Sequence, residues 1–155
     1  MNSKLNLILV LVITALIAGG LYFSFQTVSN NTHSDTLLYK NSQYGFTLTL
    51  PKTWSSYKVT EEAIQYGESV TLRHPLWTSA APRMNIPILI YPLSQWQKWE
   101  TTNFDGYPTA APIGPTERGR NNKYVFATAP RYNYSFAEGF EEVENIIQTL
   151  KGFDI

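Results

Sequence analysis

From residue 45 to residue 50 the chain alternates. Phe46, Leu48 and Leu50 fall on one side of an extended backbone and Thr47 and Thr49 on the other, the pattern of a half-buried antiparallel strand. Residues 37–39 supply a partner strand, with Asn41, Ser42 and Gln43 as the turn. Pro51 has no amide hydrogen and ends the ladder, so Lys52 and Thr53 turn the chain and bring Trp54 over the sheet end. Trp54 is therefore expected to plug the core rather than wait in a groove for a ligand.

The same reading continues along the chain. Two short strands fall at 57–61 and 69–73 with Gly67 in the turn between them, and residues 74–83, HPLWTSAAPR, form a loop that carries Trp77. Residues 84–91, MNIPILIY, are strongly β-forming, and Pro87 in their middle predicts an edge strand or a bulge. The three-residue spacing of Leu93, Trp96 and Trp99 predicts a short helix that lays two tryptophans on the sheet, with Ser94 as a candidate cap. Residues 106–119, rich in proline and glycine, read as an irregular connection.

A hairpin follows, with strands at 118–120 and 123–129 around Asn121-Asn122 in a tight primed turn. Its second strand alternates weakly, as a central strand buried on both faces would. Residues 135–151 predict the main helix: Ser135 and Glu138 form a capping box, and Phe136, Phe140, Val143, Ile147 and Leu150 share one face. Gly152 stands where a C-terminal cap belongs. Strands first and the main helix last predict an α+β domain, an antiparallel β-sheet packed with helices, over residues 37–155.

Ahead of that domain the pattern is different. Residues 5–25, LNLILVLVITALIAGGLYFSF, are apolar almost without interruption, and as a helix they would extend about 31 Å, close to the thickness of a bilayer's hydrocarbon. One N-terminal transmembrane anchor is expected, with a cleaved signal as the alternative. Lys4 and the amino terminus keep residues 1–4 in the cytoplasm and place the rest outside it. Residues 26–36, QTVSNNTHSDT, read as a flexible tether reaching roughly 18 Å.

Charge and composition narrow the function. The formal net charge is zero, which leaves no basic field for nucleic acid. Cysteine is absent, which removes disulfides, thiolate nucleophiles and cysteine metal sites. His33 lies in the tether and His74 before Pro75, neither with a partner at metal-ligating helical spacing. No nucleophile elbow, phosphate loop or dinucleotide glycine pattern occurs, so an enzyme is not expected, no cofactor is implied, and an unrecognised hydrolase is the least favoured reading.

Aromatic binding is the chemistry that remains. Trp77, Tyr91, Trp96, Trp99 and Tyr107 lie close together in the sequence, and aromatic clefts with a few polar groups bind ligands or partner segments. Packing of a small sheet is the competing reading, favoured for Trp96 and Trp99, while for Trp77 both stand open. Arg131, set among aromatics in PRYNY, offers a guanidinium fork either to a partner carboxylate or to Glu138 and Tyr132 within the fold.

Three stretches carry a family resemblance: YKNSQYGFTLTLPKTWSSYKV at 39–59, NNKYVFATAPRYNY at 121–134 and FEEVENIIQTL at 140–150. They resemble the bacterial relatives of the photosystem II subunit PsbP, which share their fold with the Ran-binding Mog proteins. The resemblance implies a PsbP-like α/β/α sandwich and a noncatalytic role at a membrane complex or surface. The anchor departs from the photosynthetic members, and no manganese or calcium ligand set maps onto this chain. The resulting expectation is an envelope domain that binds or organises partner proteins, with a small-molecule or envelope-ligand binder using the aromatic residues as the alternative.

Overall fold

The computed structural model describes residues 35–108, 114–133 and 136–155. The expected anchor over 5–25 and all but the last two residues of the expected tether lie outside the described residues. Among the described residues no helix is long and apolar enough to cross a membrane. The fold is α+β, with its strands divided between two antiparallel sheets.

The smaller sheet begins with the predicted hairpin. Strands β1 (Thr36–Asn41) and β2 (Phe46–Pro51) pair from Thr36↔Pro51 to Asn41↔Phe46. Asn41 closes the turn by accepting from the Tyr44 amide, and Gly45 follows at φ 79°, where a side chain would be strained. A two-residue strand, β8 (Lys151–Gly152), pairs with the other side of β2. Gly152, expected to cap a helix, is instead a strand residue opposite Phe46.

The larger sheet has the order β3-β4-β5-β7-β6, with strands at Lys58–Ile64, Gly67–Arg73, Ile86–Pro92, Thr116–Arg120 for β6 and Tyr124–Thr128 for β7. The MNIPILIY segment is thus not an edge. β5 pairs with β4 through Ile86–Ile90 partners and with β7 through Leu89 to Pro92. Pro87 is tolerated because it stands before the stretch that β7 pairs, where a missing amide hydrogen breaks no ladder on that side. β7 is the central strand buried on both faces that weak alternation predicts.

Two helices complete the described fold: α1 (Leu93–Thr101) and α2 (Phe140–Ile147). No side chain caps α1, so Ser94 does not play that part. α2 starts later than its periodicity predicts. Gly139, at φ 86°, begins it, while Glu138 leaves the helix to form a parallel bridge and an ion pair with Arg83. Ser135 lies outside the described residues, and Phe136 is exposed rather than on the core face.

The main core joins both sheets. Phe46, Leu48 and Leu50 of β2 meet Val70, Leu72, Ile86, Ile88, Ile90 and Phe126 of the larger sheet, with Val143, Ile146 and Ile147 of α2 and Leu150 beyond it. Trp54, on a 3-10 turn (Lys52–Trp54), is fully buried there. Its indole donates to Glu142 at 3.2 Å, so α2 satisfies the one polar atom that burial would otherwise strand. The predicted core plug is what the structure holds.

Candidate binding site

The opposite face of the larger sheet is divided in two. Tyr91 of β5 and Val125 and Ala127 of β7 gather beneath α1, which sets Trp96 and Trp99 on them. Tyr91 meets Trp99 edge-on at 5.0 Å, Trp99 meets Tyr107 at 5.1 Å, and Phe104 meets Trp96 at 5.1 Å. The Trp96 indole donates to Glu100 at 2.8 Å, and the hydroxyls of Tyr91 and Tyr107 share a hydrogen bond of 2.8 Å. Burial, then that hydrogen bond, pushes the Tyr91 phenol far above its ordinary range. Four of the aromatic candidates therefore come together and pack on one another, with the polar ends of Tyr91, Tyr107 and Trp96 matched. They form a second small core rather than a cleft.

Trp77 stands apart from them. Its ring lies under the guanidinium of Arg73, 4.3 Å from ring centre to the guanidinium carbon. Around this pair Ser56, Lys58, His74 and Pro75 line a cavity of about 190 Å³. His74 is buried at the end of β4, edge-on to Trp54 at 4.8 Å, and its Nδ1 accepts from the Leu76 amide at 3.1 Å. Burial lowers its pKa, the Arg83 charge lowers it further, and Glu142 and Glu138 oppose the shift. A neutral ring fixed by a turn and packed on a core tryptophan serves structure.

Arg131 does not take the internal role, on Glu138 or Tyr132, that the sequence offers it. It is exposed, in a turn at φ 54°, and forms no ion pair among the described residues. Arg83 holds Glu138 instead, and Arg118 stands 5.8 Å over the Tyr132 ring. Arg118 also donates to Thr128 at 3.1 Å and to Glu144 at 3.3 Å, and the Tyr132 hydroxyl donates to Glu144. Burial first, and then the hydrogen bond to Glu144, raises the Tyr132 phenol well above its ordinary range. The cation over the Tyr132 ring is thus Arg118 of β6, at the bulge between Glu117 and Gly119.

The other exposed feature is an edge. β3 is exposed from Lys58 through Ala63, and among the described residues only β4 pairs with it. Among the described residues no group of three or more metal-ligating side chains converges. No family model, curated protein or solved structure matches the chain.

Proposed function

We propose that this chain is a PsbP-like, noncatalytic binding domain held at the cell envelope by residues 5–25, where it binds or organises a partner protein. The observation that carries the reading is the β3 edge: seven residues long, exposed along six of them, and among the described residues paired on one side only. Such an edge presents main-chain donors and acceptors to an incoming strand. The two-layered core, with helices on separate clusters of the larger sheet, is compatible with the α/β/α sandwich that the resemblance implies. The aromatic reading moves accordingly. Tyr91, Trp96, Trp99 and Tyr107 act as packing, and Trp77 is the ring left beside a cavity.

The test places a photoreactive residue at Thr60 of β3 in the full-length chain, in intact cells, with Glu141 of α2 as the comparison position. One stoichiometric envelope-protein adduct from the β3 position, absent from the α2 position, is the expected result. Equal labelling from both positions, or none from either, sinks the proposal.

A further inference from the structure

Lys58 and Arg73 are direct partners across the β3–β4 pair, so two positive side chains project from the same face of adjacent strands. Like charges directly opposite one another destabilise a sheet. Among the described residues neither forms an ion pair. Among the described residues the Arg73 Nε, shielded from solvent, has no acceptor, which is an unfavourable state for a buried donor. Trp77 covers one face of the guanidinium, which fixes its plane and leaves its in-plane N–H groups aimed past the ring.

These groups border one cavity. Its volume, about 190 Å³, is several times the roughly 30 Å³ share of one water, and Ser56 adds a hydroxyl to its wall. His74, the remaining titratable residue of the lining, is held towards the neutral form by burial and by Arg83. Among the described residues the wall therefore carries two unmatched positive charges, a hydroxyl and no carboxylate.

We infer that this cavity binds a phosphate-type dianion. Arg73 offers its terminal guanidinium N–H groups to two oxygens, Lys58 supplies the second charge, and Ser56 donates to a further oxygen. A single carboxylate would leave one of the two cations unmatched, whereas a dianion neutralises both. The phosphate can be free in solution or be the ester of an envelope lipid or polymer. The inference stands apart from strand addition at β3, which uses the backbone of the free edge.

The experiment follows thermal unfolding of the full-length chain in neutral detergent, at fixed ionic strength, with inorganic phosphate, glycerol 3-phosphate and acetate as probes. A saturable rise in Tm with inorganic phosphate or with the ester, at least tenfold weaker in Lys58→Gln and in Arg73→Gln, is expected. Lys58→Gln without anion should unfold no earlier than the wild type, which separates lost binding from lost folding. Binding of the ester at least tenfold tighter than inorganic phosphate assigns the site to a phosphate ester, and equal binding assigns it to the free ion. No saturable rise, an equal response to acetate, or an undiminished response in both variants overturns the inference.

Discussion

The two edges of the larger sheet are finished in opposite ways. At β6 the chain's own C-terminal segment closes in: a Cβ on Gly152 would lie 2.1 Å from the Arg120 carbonyl oxygen, and one on Gly119 would lie 2.7 Å from Leu150. Asn121, at the end of β6, donates to the carbonyls of Tyr44, Gly45 and Phe153 and accepts from the amides of Lys123 and Tyr124. Arg120 is held by Glu117 and Glu100. At β3, among the described residues, there is one neighbouring strand, and Lys58 faces Arg73 without a counter-charge. Long-range polar contacts are concentrated at one corner, and unmatched groups at the other. Substitutions at the first should register as lost stability, and at the second as altered binding.

The largest effect belongs to the core that both edges share. Trp54→Ala removes a fully buried side chain, and a loss of about 3–5 kcal/mol is expected in urea unfolding. Amides of β3 and β6 should then lose protection together, and an unmoved midpoint would falsify the plug. Asn121→Ala comes next. It strips five hydrogen bonds from the closed corner, and about 2–3 kcal/mol should go with it. Hydrogen exchange should quicken first at Tyr124 and Phe153 while β3 is unchanged; uniform quickening would show that the corner is not a separate unit.

A pH dependence should mark the open side more weakly. Because the folded pKa of His74 lies below its ordinary 6.5, the unfolded chain takes up this proton first as pH falls. The His74 contribution is therefore complete above about pH 6.5 and declines below it, down to the folded value. His74→Asn keeps an acceptor for the Leu76 amide and removes the titration. Its urea midpoint should vary less between pH 7 and pH 5.5 than that of the wild type. An identical pH profile would assign the decline to carboxylates instead.

What the sequence discloses here is what short-range pattern controls. The alternation at Phe46, Leu48 and Leu50 places β2 and Trp54 correctly, and the spacing of Leu93, Trp96 and Trp99 finds α1 and the face it buries. The failures have long-range causes. Glu138 fits a capping box locally, yet Arg83, 55 residues away, draws it into a bridge before the helix starts. Asn121 and Asn122 suggest a primed turn, yet neither adopts positive φ, because Asn121 spends its side chain on the loop and on Tyr44, Gly45 and Phe153. Gly152 resembles a helix cap until β8 is seen to pair with β2. For the site, aromatic clustering is visible in the sequence but filling is not, and Lys58 opposite Arg73 emerges only from the strand register.

The smallest effects give the sharpest comparison, because the same chemical change should have opposite signs at the two edges. Arg120→Gln removes a charge that two carboxylates hold, and since its side chain is 44% exposed the loss should be about 0.2–1 kcal/mol. Lys58→Gln removes a charge that only repels, and at low salt it should gain about 0.2–1 kcal/mol. Both differences should shrink as salt rises, because exposed charges are screened. With phosphate present the second sign should reverse: a bound dianion turns Lys58 from an unmatched neighbour of Arg73 into a contributor to the same site. A Lys58→Gln variant that is destabilised in chloride alone would mean that Lys58 is already matched within the fold, and the contrast between the edges would then be one of strand pairing without a contrast in charge.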